Sequence, residues 1–395
     1  MRPFSESHVR VKHALRLAFV TTEDARSRRS WSGTTYHMAQ ALLREGVALE
    51  YIGPLETSRL PRARGLLQRR FGRAYLYDRD PRVLRSYARQ VESRLSGLGA
   101  DAVLSPGTPP IAYLDTDLPV VTWTDATFAV MVDYYSSFSG LGRQSIRAGH
   151  MMERQALARV DAALYSSSWA AQSAVEDYAA DPKKVHVVPF GANLEVEPGQ
   201  SEVATMVEKR PRHECRLLFI GVDWFRKGGD LALAVAARLA ESGVPTKLTV
   251  VGCQASPAPG SFLVEGLGFV DKSTQSGEAT ITRLLGESHF LCLPSRADCT
   301  PVVFCEASAH GLPSVSVRTG GIGSLLKHGV NGYLFDQDGF VEDAAASIAR
   351  CMAEYDRLYL PLAKASYEEY RSRLNWATSA KAVFEHLSRL VAARA

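Results

Sequence analysis

Residues 289–335 read HFLCLPSRADCTPVVFCEASAHGLPSVSVRTGGIGSLLKHGVNGYLF. Two short apolar runs, FLCLP and PSVSV, flank a longer stretch with helical spacing, and a polar or glycine-rich loop follows each run. Short, fully apolar runs around a helical segment are typical of parallel strands that are buried on both faces. The segment therefore predicts a strand–loop–helix–strand unit of a parallel α/β sheet.

The same alternation continues through the rest of the chain. In the first half the apolar runs are LRLAFVTT, ALEYIGPL, DAVLSP, LPVVTWTD, DAALYSS and VHVVPFG, with helical patterns between most of them. The series restarts with CRLLFIGVD near residue 215, after a polar stretch. We therefore predict an α/β protein with two mostly parallel sheets facing a cleft. The first domain covers 1–195, a linker covers 196–214, and the second domain covers 215–377.

Composition excludes several classes of protein. The chain has 395 residues, 46% of them apolar and 22% charged, which is ordinary for a globular protein. No run of about 18 apolar residues and no secretory signal is apparent. A net charge of +4 argues against a dedicated nucleic-acid binder. The six cysteines form no C-x-x-C pair, so we expect buried, reduced thiols in a cytoplasmic protein.

The basic residues are unevenly distributed. Eleven arginines lie within the segment 59–94, which holds only three acidic residues. Such a segment is either a solvated helical face or a patch for an anionic membrane surface or a phosphorylated acceptor. Peripheral membrane contact through 59–94 therefore stays open.

The loop after the first strand of 289–335 carries candidate binding groups. Asp298 lies in the loop, Pro301 suits the first turn of the following helix, and Glu306 comes eight residues after Asp298. A carboxylate near a helix start can accept hydrogen bonds from vicinal hydroxyls such as those of a ribose. Gly321 belongs to a glycine-rich loop that lets the backbone approach a phosphate. Free N–H groups for an anion or a sugar oxygen are expected at Cys299, Thr300, Val302 and Val303.

A second motif, LLFIGVDWFRKGGDLALAVAARL at 217–239, places Arg226 and Lys227 between a strand and a helix. Two cations beside a diphosphate neutralise a leaving group without a metal ion. Metal-dependent chemistry would need a D-x-D ligand set. The three such triplets do not follow apolar strands beside a nucleotide-like loop, and we interpret them as solvated turns: Asp78/Asp80, Asp115/Asp117 and Asp336/Asp338. No metal ion and no cofactor is expected.

These motifs resemble the donor site of family 4 glycosyltransferases, which have the GT-B fold. The family's Glu-x7-Glu pair is Asp298-x7-Glu306 here, and its G-x-N-G-x-L hairpin is 329–334. In the pattern G-R-L-x-x-x-K-G, Lys227 matches the lysine, whereas Val222 takes the place of the arginine and Arg226 is the candidate substitute. The resemblance implies that Glu306 holds the nucleotide ribose and Asp298 the donor sugar. It also implies retention at the anomeric carbon and a C-terminal helix, 378–395, that crosses back to the first domain.

The first domain is expected to supply the acceptor side of the cleft. Gly33 stands where the family has a glycine that approaches the donor phosphate, and Asp125 follows a buried strand. Asp125 either contacts a sugar hydroxyl, the anomeric charge or the acceptor, or simply caps the next helix. The charged arm 23–31 either closes over an acceptor or is a mobile loop. Acceptor contacts are predicted at Trp31, Ser32, Thr34, Thr124 and Asp125.

The sequence thus predicts a metal-independent, retaining glycosyltransferase that uses a nucleotide-diphosphate sugar. The catalytic candidates are Asp125, Lys227 and Asp298. Donor contacts are predicted at Gly33, Arg226, Lys227, Asp298, Cys299, Thr300, Pro301, Val302, Glu306 and Gly321. The acceptor stays open between a glycan, a lipid-linked molecule and a small molecule. A phosphorylase or sugar-ester synthase of the same fold and a non-catalytic nucleotide-sugar-binding protein are the alternatives.

Overall fold

The computed structural model describes residues 15–57, 75–255 and 262–394, which form two six-stranded sheets. Every pair of neighbouring strands is parallel, which confirms the predicted fold class. The first sheet, in the order β2-β1-β3-β4-β5-β6, contains β1 (Arg16–Val20), β2 (Ala48–Ile52), β3 (Ala102–Ser105), β4 (Val120–Thr124), β5 (Ala162–Tyr165) and β6 (Val185–Val187). The second, in the order β12-β11-β10-β7-β8-β9, contains β7 (Cys215–Ile220), β8 (Thr246–Val251), β9 (Leu263–Gly268), β10 (Phe290–Cys292), β11 (Ser314–Val317) and β12 (Gly332–Phe335).

Helices connect most of these strands and cover both faces of each sheet. In the first half they are α1 (Thr34–Arg44), α2 (Pro81–Leu95), α3 (Phe128–Met131), α4 (Arg143–Arg159) and α5 (Ser168–Glu176). In the second half they are α6 (Gln200–Lys209), α7 (Gly229–Glu241), α8 (Gln275–Glu287), α9 (Val303–Ala309), α10 (Ile322–Leu325), α11 (Phe340–Ala353), α12 (Leu360–Arg373) and α13 (Trp376–Ala392).

The last helix crosses back to the first domain, as the family resemblance implies. Trp376 and Leu387 of α13 are buried in the same apolar cluster as Leu17 and Phe19 of β1. The start of α13 is packed closely against Gly191, because a Cβ added to this glycine would lie 2.2 Å from the main-chain nitrogen of Trp376. The C-terminal residues therefore complete the core of the N-terminal sheet.

The stretch 196–214, predicted as a polar linker, contains helix α6. Val203 and Val207 of this helix are buried in the core of the second sheet. Arg210 follows α6 and is 2% exposed. Its guanidinium donates five hydrogen bonds of 2.7–3.4 Å, to the carbonyls of Leu285, Gly286, His310 and Gly311 and to the hydroxyl of Tyr359. The last carbonyls of a helix lack partners within it, so Arg210 satisfies the ends of α8 and α9.

The cysteines, the segment 329–334 and the basic segment 59–94 were each the subject of a prediction. All six cysteines are unpaired, and only Cys253 is not fully buried. The predicted hairpin at 329–334 instead leads into β12, a parallel edge strand. Of the segment 59–94, residues 59–74 lie outside the described residues, and 81–95 forms α2. Membrane contact through this segment stays a prediction. No helix among the described residues is both long and apolar enough to cross a bilayer.

Candidate functional site

The carboxyl ends of β7 and β10 bring Lys227 and Asp298 together. The Lys227 ammonium forms an ion pair with the Asp298 carboxylate, and the two side chains are 14% and 9% exposed. Ser295 Oγ donates a 3.3 Å hydrogen bond to the same carboxylate. Gly228 makes this contact possible, since its φ is +75° and an added Cβ would lie 2.0 Å from the Pro294 carbonyl oxygen. The loop that carries Lys227 is therefore packed directly against the end of β10.

Glu306 forms a second acid–lysine pair beside the first. It lies in the first turn of α9, is 5% exposed, and its Oε1 is 2.5 Å from Lys272 Nζ. Lys272 follows β9 and also donates to the Asn193 carbonyl oxygen at 3.3 Å. Because α9 begins only at Val303, the prediction that Pro301 lies in its first turn is wrong.

The arginine beside Lys227 contacts the first domain, whereas the residue at the family's arginine position is an uncharged, exposed valine. Val222 is 68% exposed to solvent. The Arg226 guanidinium lies 5.6 Å from the centre of the Tyr135 ring and donates to the Ala297 carbonyl at 3.0 Å. Arg226 therefore places a second positive charge near the Lys227–Asp298 pair.

Two tyrosines that the sequence analysis missed reach across the cleft from the first domain. The Tyr134 hydroxyl accepts a 2.8 Å hydrogen bond from the Asp298 N–H, and the Tyr135 hydroxyl accepts one of 2.9 Å from the Cys299 N–H. The prediction of a free N–H at Cys299 is therefore wrong, because a hydroxyl from the other domain already occupies it. A sequence signal was present, because the tyrosines come three and four residues after α3, in the segment that leads away from the carboxyl end of β4.

The neighbouring positions of the donor loop also contact the first domain. Thr300 Oγ1 lies 2.5 Å from Ser166 Oγ, at the end of β5. A Cβ on Gly321 would lie 1.9 Å from the Cys299 carbonyl oxygen and 2.8 Å from Ser167. One face of Gly321 is thus filled by protein, and its lack of a side chain serves this packing. The N–H groups of Thr300, Val302 and Val303 have no acceptor among the described residues.

Asp125 lies half-buried directly after β4 and close enough to Asp298 for their charges to interact. Burial, with a smaller effect of the Asp298 charge, raises the pKa of the Asp125 carboxyl to about 7. The alternative reading of Asp125 as a helix cap is wrong, since α3 begins at Phe128 and its N-cap residue is Thr127. The preceding Thr124 is buried, with 7% exposure.

The start of α1 forms the opposite wall. Trp31, Ser32 and Gly33 have φ values of +47°, +54° and +82°, a run that is unfavourable for the two residues with side chains. Asn193 holds it in place, because its Nδ2 donates to the Ser32 carbonyl at 3.0 Å and lies 3.3 Å from Thr34 Oγ1. Asn193 Oδ1 accepts a 3.1 Å hydrogen bond from the Trp376 indole. Asn193 therefore joins the acceptor wall, the segment between the domains and the crossing helix.

The charged arm 23–31 reaches the second domain. Arg29 forms a 3.1 Å ion pair with Asp271 of the second domain, and Arg28 forms a 3.0 Å pair with Glu195 at the end of the first domain. These contacts favour the interpretation that the arm closes the cleft. The space behind it is lined by residues of both domains, among them Arg28, Gly33, His37, Asn193 and Lys272.

Three aspartates of the D-x-D triplets make other contacts. Asp80 caps α2 through the Arg82 N–H, Asp78 pairs with Arg79, and Asp336 pairs with Arg318. In residues 15–57, 75–255 and 262–394, no group of three or more acidic, histidine or cysteine side chains is arranged to hold a metal ion.

Comparison with known proteins gives matches over both halves. The family described as "Glycosyl transferases group 1" matches residues 214–354, and "Glycosyltransferase Family 4" matches 33–196. Two relatives are named D-inositol 3-phosphate glycosyltransferase. The one from Segniliparus rotundus is 29% identical over 52% of this chain and 47% of its own length. The one from Mycolicibacterium smegmatis is 28% identical over 60% and 55%. The chain thus spans about half the length of these relatives.

Solved structures match over almost the whole chain. Sucrose-phosphate synthase from Thermosynechococcus elongatus has a TM-score of 0.68 at 15% identity, covering 96% of this chain and all of that one. Anabaena HepE, solved with UDP-glucose, has a TM-score of 0.61 at 14% identity, covering 95% and 100%. The two facing parallel sheets have the arrangement of the GT-B fold that these solved structures share. The chain belongs to the group 1 glycosyltransferases, in glycosyltransferase family 4.

Proposed function

We propose that the protein transfers a glycosyl group from a nucleotide-diphosphate sugar to an acceptor hydroxyl, with retention and without a metal ion. The observation that carries the proposal is the placement of Arg226, Lys227, Asp298 and Glu306 around one cleft, facing Asp125. A diphosphate needs compact positive charge, and a ribose needs a buried acceptor for its two hydroxyls. Both requirements are met within one loop cluster.

The comparisons support a first choice of substrates. HepE was solved with UDP and with UDP-glucose, which favours a uridine donor. The relatives named D-inositol 3-phosphate glycosyltransferase favour a phosphorylated polyol as acceptor. Transfer to a lipid-linked or glycan acceptor instead would be a second possible outcome of the transfer assay.

In the proposed reaction, Lys227 and Arg226 neutralise the leaving diphosphate. The acceptor oxygen attacks the anomeric carbon from the face that the diphosphate leaves. The bond from that carbon to the phosphate oxygen breaks with its electron pair, and the acceptor proton passes to the departing oxygen. The two tyrosine hydroxyls hold the donor loop against the first domain, and water is thereby excluded. Asp125 serves as the hydrogen-bond partner of the sugar or the acceptor.

The first test measures binding of the donor nucleotide. The thermal unfolding of the wild-type protein is followed with UDP, GDP, ADP, CDP and dTDP, each with magnesium and with a chelator. A ligand at about 100 times its Kd adds ~2.7 kcal/mol to the free energy of unfolding. Glu306→Ala should raise the Kd by about 10- to 100-fold, the value of hydrogen bonds to a charged group.

Glu265→Ala is the matched control, because Glu265 forms a surface ion pair with Lys247 on β8. The control should bind the nucleotide like the wild type. If no nucleoside diphosphate stabilises the wild type, the proposal fails at its first step. Binding without transfer to any acceptor would favour the non-catalytic alternative. NMR of the product anomer then tests retention, and turnover in chelator tests independence from metal.

A further inference from the structure

Lys272 holds an unusual place in the donor cleft. Its ammonium contacts Glu306 Oε1 at 2.5 Å and the Asn193 carbonyl at 3.3 Å. Glu306 is almost fully buried, whereas the Lys272 side chain is 37% exposed. An ammonium has three N–H donors, and these two contacts use two of them. The third is available to a ligand that enters beside Glu306.

The space beside Lys272 suits a neutral polar ligand group rather than a free anion. This space is lined on one side by Lys272 and Glu278, and on the other by Arg28, His37 and Glu195. Arg28 is already paired with Glu195. Burial and the nearby positive charges of Lys272 and Arg28 lower the pKa of His37 to about 3, so the imidazole is neutral near pH 7. The positive charges of Lys272 and Arg28 are therefore balanced by the negative charges of Glu278 and Glu195.

A hydroxyl group beside the Glu306–Lys272 contact can bind both side chains, because it donates one hydrogen bond and accepts two. The carboxylate accepts from it, and the ammonium donates to the same oxygen. A carbon–hydrogen group in that place can neither donate to the carboxylate nor accept from the ammonium. It also excludes water from the two charged groups without replacing the hydrogen bonds that water made.

We propose that Lys272 is a specificity residue for the nucleotide, and that it shares one of the two vicinal ribose hydroxyls with Glu306. This inference rests on the proposed function, since it assumes that Glu306 faces the ribose. It defines the donors as ribonucleoside diphosphate sugars and excludes those whose ribose lacks the shared hydroxyl.

The test compares the Kd values of UDP, 2′-deoxy-UDP and 3′-deoxy-UDP by titration calorimetry on the full chain. The wild type should bind UDP at least about tenfold more tightly than one of the two deoxy analogues, the value of one charge-assisted hydrogen bond. In Lys272→Met this ratio should fall at least about fivefold. Lys247→Met, which removes the surface pair with Glu265, should keep the wild-type ratio.

Each outcome separates the inference from the proposed function. If the wild type binds no nucleoside diphosphate, the proposed function fails and the inference with it. If UDP binds but Lys272→Met weakens all three ligands equally, Lys272 only positions Glu306, and the inference is overturned. Tighter binding of all three ligands by Lys272→Met would instead mean that Lys272 obstructs the site, which also overturns it. The thermal unfolding of both variants shows whether they are folded.

Discussion

Arg210 provides the sharpest stability prediction, because it is buried with no acidic partner among the described residues. Its five hydrogen bonds reach the last turn of α8, the residues after α9 and the Tyr359 hydroxyl. Since α9 carries Glu306, the guanidinium also supports the donor site from behind. Arg210→Met keeps much of the aliphatic volume and removes every donor.

The magnitude follows from the groups that are left without partners. Four main-chain carbonyls lose a charged donor, and a buried polar group without a partner costs about 1–3 kcal/mol. Removal of the guanidinium also relieves its own cost of burial, which offsets part of this loss. With about 1 kcal/mol per carbonyl, we expect Arg210→Met to lower the free energy of unfolding by ~4 kcal/mol. For a cooperative unit of 150–250 residues this corresponds to a Tm lower by roughly 10 °C.

The assay is calorimetric unfolding of the full chain, with Arg212→Met as the control. Arg212 lies two residues further on and forms a bidentate ion pair of 2.8 Å with Asp356, but it is 57% exposed. An exposed ion pair is screened by solvent and contributes little to stability, so the control should shift the Tm by no more than a few degrees. Arg210→Lys keeps the charge but not the planar arrangement of donors, and should fall between the two.

The reasoning would be refuted if Arg212→Met lowered the Tm as much as Arg210→Met does. It would also be refuted if Arg210→Met unfolded within about 3 °C of the wild type. Either result would mean that the carbonyl groups of α8 and α9 find water or relax without cost, and that the buried guanidinium does not hold the two helix ends.

Two further predictions concern the cleft. Gly228→Ala should cost more than about 2 kcal/mol of stability and weaken UDP binding, because φ is +75° and the new Cβ meets the Pro294 carbonyl. Gly243→Ala, at φ +86° but in open space, should cost ~1 kcal/mol and leave UDP affinity unchanged, so equal effects would contradict the steric argument. The raised pKa of Asp125 means that the folded protein keeps a proton which the unfolded chain releases between about pH 4 and 7, so this carboxyl lowers stability as the pH rises through that window. Asp125→Asn should therefore have a Tm that improves relative to the wild type from pH 5 to pH 8, and a difference independent of pH would rule this explanation out.

The fold and the centre of the site were predictable because both follow from local patterns. Apolar runs between helical segments define the strands, and their carboxyl ends place Lys227 and Asp298 in one cleft. Tyr134 lies 164 residues from its partner Asp298, and Lys272 lies 34 residues from Glu306. No local pattern specifies such contacts, since they depend on how the two domains and the neighbouring loops are packed. The capping role considered for Asp125 failed for a local reason, because α3 begins two residues later than the cap would require.

The crossing helix α13 limits how this architecture can be divided or recombined. Trp376 and Leu387 lie in the core of the N-terminal sheet, so that sheet is built from two separate parts of the chain. An exchange of donor domains between relatives must therefore insert a segment with two junctions, one near residue 214 and the other near residue 375. A single fusion point between the domains would pair the first sheet with a foreign terminal helix, whose indole must still reach Asn193. In recombination, the second domain is an insertion within the first.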